Sequence, residues 1–151
     1  MVELELLGVS SDGQLQHVLL LRHQERVLPI FTTAEMAEAV QWGLMKESLG
    51  RPLTHDLICN LLAGMGGELK SVSIYKLQDK TYYAYLNIEQ KAQNGEIKQV
   101  LRIDSRASDS IALAVRTGCP IYAAEEVMDE AGTEITFEEG DDQEDSDATP
   151  G

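Results

Sequence analysis

The stretch ELKSVSIYKLQDKTYYAYLNIEQKAQNGEIKQVLRID, Glu68 to Asp104, decides the fold. It contains three runs with strand character, ELKSVSIYKL, TYYAYLNIEQ and EIKQVLRID, in which β-branched and aromatic residues recur. Gln78-Asp79-Lys80 and a loop containing Asn94-Gly95 join them. Neither connection is long enough for the crossover helix that a parallel pair requires, so the three runs form a meander.

On the N-terminal side, RPLTHDLICNLLAGMGG reads as a helix with Thr54 as N-cap, Asp56 in the first turn and Gly66-Gly67 as the stop. Its expected buried stripe is Leu57, Ile58, Leu61, Leu62 and Met65. The helix before it starts at the N-cap Thr33, carries Met36, Ala37, Val40 and Leu44 at helical spacing, and is expected to end at Gly50 before Pro52. VELELLGV alternates as a half-buried strand, and LQHVLLLRHQERVLPIF reads as two more strands around His23 to Glu25. On the C-terminal side a third helix, Ser108 to Thr117, turns Ile111, Ala114 and Val115 inward and ends at Gly118. PIYAA is a last short strand, and EEVMDEAG is a closing helical turn or two. Strands in runs with helices between them define the α+β class. The expectation is a compact single domain with a mainly antiparallel or mixed sheet, three main helices and a short C-terminal helix.

The chain has 151 residues, 43% apolar and 25% charged, the balance of an ordinary globular domain. Residues 1–132 are expected to fold, and 133–151 to form an acidic, disordered tail. That tail holds eight acids and no base, and the net charge of the whole chain is −14. MVELELLGVS has acids where a signal peptide would be basic, and no apolar run reaches membrane-spanning length, so a cytoplasmic location is expected, with no membrane partner. Cys59 and Cys119 lie in apolar patterns and read as buried free thiols.

Two blocks concentrate chemistry at helix starts: RPLTHDL, with Arg51, Thr54, His55 and Asp56, and IDSRASDS, with Asp104, Arg106, Ser108 and Asp109. A helix start presents free backbone N–H groups and suits anions. Brought together, the blocks could perform phosphodiester chemistry. His55, Asp56, Asp104 and Asp109 are the catalytic candidates, with His55 as proton shuttle. Arg51, Arg106, Thr54 and Ser108 would bind phosphate, and Asp56, Asp104 and Asp109 could hold magnesium or manganese. The same residues also read as caps and a structural clasp. Tyr75, Tyr82, Tyr83 and Tyr85 could stack on bases but are accounted for by strand preference, and Trp42 reads as core or a subunit contact. His17 and His23 read as ordinary surface residues. No Walker loop, GxGxxG, nucleophile elbow or HExxH is present.

These blocks resemble those of the bifunctional nuclease domain family, which carries RPLTHDL and, some fifty residues later, a block close to DARPSDAIALALRTGAPIY. Here the second block stands as DSRASDSIALAVRTGCPIY, Asp104 to Tyr122, and agreement in character runs from about Val2 to Gly132. The resemblance implies hydrolysis of DNA and RNA by a compact α+β domain that associates into oligomers, with a homodimer favoured. Two departures stand out. Where the family usually has a glutamate opening the first helix, this chain has Met36, with Glu35 and Glu38 beside it; a family proline is Ala107 here, which frees a φ angle. The acidic balance favours two alternatives, a non-catalytic interaction module and a binder of a small phosphorylated ligand.

Overall fold

The computed structural model describes residues 1–11, 16–46 and 50–134. The chain runs β1 (Val2–Ser11), β2 (His17–His23), β3 (Arg26–Thr32), α1 (Ala34–Met45), α2 (Thr54–Gly64), β4 (Gly67–Gln78), β5 (Thr81–Lys91), β6 (Ile97–Arg106), α3 (Ala107–Thr117), β7 (Ile121–Ala123), α4 (Glu125–Ala131) and β8 (Thr133–Glu134). It is an α+β domain, as the pattern of runs requires.

All eight strands belong to one mixed sheet, in the order β6-β5-β4-β7-β1-β2-β3-β8. The meander β4-β5-β6 and the hairpins β1-β2-β3 are antiparallel throughout. The three residues of β7 splice these halves, running parallel to β4 and antiparallel to β1. The sheet is strongly curled. Tyr82 on β5 donates its hydroxyl to the Pro29 carbonyl on β3 at 3.1 Å, although the two strands stand five positions apart, roughly 24 Å in a flat sheet. Pro29 has no N–H to offer, and the short edge strand β8 pairs only with Arg26 and Val27.

The helix α3 fills the hollow of this curl. It touches β3, β4, β5 and β6 as well as α1 and α2. Seven of its residues are buried, from Ala107 to Ala114, so it is apolar nearly all round rather than along one stripe. Its Ser110 hydroxyl donates to Ser105 Oγ at 2.9 Å, which satisfies a fully buried polar group. Leu19, Leu21, Leu28, Val72, Ile74, Ile111, Leu113 and Met128 complete the centre of the core. Gly43 lets α1 lie against α3, because a Cβ there would come within 2.5 Å of Val115. Gly118, at φ 77°, ends α3 in the left-handed region, where glycine carries no steric cost.

Several local expectations change. Thr33 caps α1 through Met36 N–H, as its position suggests, but the helix ends at Met45 with Lys46 in the left-handed region rather than at Gly50. Leu44 is exposed. Thr54 is the first residue of α2, not its cap; Leu53 occupies that place. Of the expected α2 stripe, Ile58 and Leu62 pack on the core, whereas Leu57, Leu61 and Met65 are about half exposed. The hollow beneath α2 is already filled by α3, so only one flank of α2 finds apolar cover. The first two residues assigned to the tail, Thr133 and Glu134, join the sheet as β8; the rest of 133–151 lies outside the described residues. Among the described residues, no helix is long and apolar enough to cross a membrane.

Candidate active site

The curl brings the start of α2 and the start of α3 together against α1. Between them lies a cleft of about 840 Å³. Helix α1 contributes Glu35, Met36, Glu38, Ala39 and Trp42; the α2 start contributes Leu53, Thr54, His55 and Ile58. Leu86 of β5 and Leu113 of α3 form part of its apolar lining, and Asp104, Ser105, Arg106 and Asp109 line it where β6 passes into α3.

One carboxylate joins the two sequence blocks. Asp109 Oδ1 lies 2.9 Å from His55 Nε2, and Asp109 Oδ2 accepts from Arg106 Nε at 2.9 Å. Burial alone would push the Asp109 carboxyl up, but the bonds from His55 and Arg106 outweigh it and hold the group below the usual carboxylate range. An ionised Asp109 only accepts, so His55 Nε2 carries the hydrogen and Nδ1 is the basic nitrogen. The His55 side chain is 8% exposed, whereas that of Arg106 is 72% exposed. The pair is therefore a sheltered imidazole with its orienting acid, flanked by an exposed guanidinium held on that acid.

Asp56 belongs to a different arrangement. Its Oδ2 accepts the Leu53 N–H at 2.9 Å and its Oδ1 accepts from Arg116 Nε at 2.7 Å. The Leu53 N–H, then Arg116, hold its carboxyl below the usual range. Arg116 also donates to the Ala112 carbonyl at 2.8 Å and is 7% exposed. This buried clasp fixes the α2 start, and so His55, against α3. Arg116 was not singled out from the sequence. A lone base at the end of an apolar helix pattern is its only signal, and that also reads as a dipole partner.

Asp104 lines the rim of the cleft but is directly paired with Tyr85 across the β5-β6 ladder. Strand alternation places its side chain on the face opposite that of Ser105, which bonds Ser110 on the helix side. Consistent with this placement, the Tyr75 phenol is pushed up to about 12, first by its hydrogen bond with Tyr85 and in part by the Asp104 charge. Thr54 lines the cleft; Ser108 is buried in the first turn of α3 and, like the exposed Arg51, does not. Trp42, read from the sequence as core or a subunit contact, lines it, as do Glu35 and Glu38, noted there only beside the family's glutamate position.

The three carboxylates considered as metal ligands thus lie in three different settings: Asp56 on Arg116, Asp109 on His55 and Arg106, and Asp104 beside Tyr85 in the strand ladder. Among the described residues, no group of three or more histidine, cysteine, aspartate or glutamate side chains is gathered to hold a metal ion. Cys59 and Cys119 are free thiols, and burial pushes both upward.

The cleft thus holds a sheltered His-Asp pair with an exposed arginine on the same carboxylate. The model of the bifunctional nuclease domain matches residues 18–136, and the chain belongs to that family. Two proteins of Mycobacterium tuberculosis, from the strains CDC 1551 and H37Rv and both described as uncharacterized, are each 38% identical over 141 residues. The match covers 91% of this chain and 80% of each relative.

Proposed function

We propose that this chain is a nuclease that hydrolyses phosphodiester bonds of DNA and RNA without regard to sequence. The observation that carries the reading is the 2.9 Å bond between His55 and Asp109 inside the cleft, with Arg106 on the same carboxylate. In this mechanism His55 Nδ1 takes the proton of a water that attacks phosphorus, the P–O bond to the leaving oxygen breaks, and the imidazolium returns the proton to that oxygen. Asp109 keeps the imidazole in the required tautomer and stabilises its charged form. Arg106 swings to the non-bridging oxygens, where its planar fork matches phosphate.

The carboxylates as arranged do not form a protein-held metal site, so no step here passes through an ion. Magnesium or manganese would have to share its ligands with substrate phosphates and water, which is how Mg²⁺ commonly binds. Turnover is expected to need the added ion although the purified protein carries none. Metal analysis of the protein, with hydrolysis of labelled single-stranded DNA and RNA across a chelator series, checks both parts. A wild-type protein with no activity that co-purifies with it would reduce the cleft to a binding site for phosphorylated ligands.

The reading extends to a homodimer in the cytoplasm. Leu53, Leu57, Leu61 and Met65 recur every fourth residue along α2 and are 36% to 59% exposed, an apolar row left open among the described residues. Leu57→Lys together with Leu61→Lys is expected to convert a dimer to a folded monomer in light scattering. An unchanged mass would rule this face out as the contact.

A further inference from the structure

The face of the β4-β5-β6 sheet opposite the helices carries a row of rings and cations, with the Asp104 carboxylate beside Tyr85. Lys76 Nζ stands 4.5 Å from the centroid of Tyr83, and Tyr83 is 6.3 Å from Tyr75. Tyr75 stacks on Tyr85 at 4.2 Å with planes 8° apart, and the Arg102 guanidinium lies 5.0 Å from Tyr85. Tyr82, whose side chain turns to Pro29, is not part of the row. The alternation of β5 explains the split: Ala84, Leu86 and Ile88 are buried in the core, while Tyr83, Tyr85 and Asn87 point the other way.

Two features separate this row from ordinary strand packing. The chain has 26 acids against 12 bases, yet among the described residues neither Lys76 nor Arg102 forms a salt bridge. Their charges rest on aromatic rings, an attachment worth only about 0.5–1 kcal/mol where exposed, so they are free to turn to phosphates. The row also leads to the cleft. Arg102 and Arg106 lie on β6, which is the edge of the sheet, and four residues of strand span roughly 13 Å. A single strand laid on the tyrosines could pass round that edge and deliver a phosphate to Arg106 and His55. A duplex could not, since its bases are stacked inside.

We propose that Tyr75, Tyr83 and Tyr85, with Lys76 and Arg102, form a platform for single-stranded nucleic acid outside the cleft, stacking bases and holding the backbone. The proposal rests on the nuclease reading for its biological sense, but its test does not.

Binding of a labelled oligothymidylate of about fifteen nucleotides is measured by fluorescence anisotropy in chelator over a range of salt, beside the matching duplex. Tyr85→Leu is expected to weaken single-strand binding at least about fivefold, the lower end of what one stacked base contributes. Lys76→Glu with Arg102→Glu, both on exposed side chains and so safe for the fold, is expected to reduce the salt slope by about 1.4, the effect of two lost phosphate contacts on a single strand. Affinity and slope within twofold of wild type in both folded variants would overturn the platform, as would duplex binding as tight as single-strand binding. Cleavage of a short substrate in added metal is scored separately. A variant that cuts it normally but binds the long strand poorly supports the platform. A wild type that binds strands through the tyrosines and cuts nothing supports the platform and removes the nuclease reading.

Discussion

Hydrolysis by His55→Gln is expected to fall by about 10²- to 10⁴-fold, the usual contribution of a positioned general base. Glutamine is the informative choice because its amide can still donate to Asp109 Oδ1, as His55 Nε2 does at 2.9 Å, while offering no basic nitrogen. Thermal melting should change little. Asp109→Asn should cost at least as much activity, since it removes the acceptor that fixes the imidazole tautomer and leaves Arg106 without its carboxylate. The pH dependence follows from the lowered Asp109 carboxyl. A group depressed on folding contributes stability above its unfolded pKa and loses that contribution as pH falls through its folded one. Protonation of Asp109 should therefore disable the enzyme only below the ordinary carboxylate range. Melting temperature, followed into acid, should decline in that window in wild type and show no such step in Asp109→Asn. An enzyme equally active with glutamine at position 55 would transfer the base role elsewhere.

Asp56→Ala should produce the largest loss of stability among the polar variants, on the order of 3 kcal/mol, because it strands a buried cation. Arg116 would keep only the Ala112 carbonyl, and Leu53 N–H would lose its acceptor. The reverse change, Arg116→Met, should cost less. Asp56 is 40% exposed and retains Leu53 N–H and solvent, while methionine fills the space among apolar neighbours. This asymmetry separates a clasp from a metal ligand. In a clasp, urea unfolding shows Asp56→Ala far below Arg116→Met, and both keep chemistry at temperatures where they are folded. In a ligand set, Asp56→Ala abolishes turnover at unchanged stability, and the positioning role assigned to Asp56 falls.

The meander, the opening hairpins and the ends of α3 were legible because each rests on short-range rules: alternation, turn chemistry and caps. Turn length alone excluded a crossover between β4 and β6. The α2 stripe was misread because periodicity reports an apolar face without saying whether anything covers it, and α2 has apolar residues on more than one flank. Within the site, the sequence marked two polar helix starts that would form one site if brought together, but not that His55 meets Asp109. Nor did it sort the aspartates. Asp56, Asp104 and Asp109 look alike in sequence, and only the packing of Arg116 under α2 and the side-chain alternation of β6 send them to three different settings. The tyrosines were divided in the same way: Tyr82 differs from its neighbours by one step of strand parity, and that step decides whether a ring closes the core or faces water.

The three residues of β7 have a consequence for how the molecule is made. Apart from the two residues of β8, both halves of the sheet consist of neighbours in sequence, contacts that form early because little loop entropy opposes them. Their union waits for residues 121–123, which enter between β1 and β4. Until those residues leave the ribosome, the nascent chain carries two sheets, each with a bare inner edge and half of what will become the cleft. Completion of the single sheet is therefore a late, long-range event, set by three residues that follow α3 in the chain.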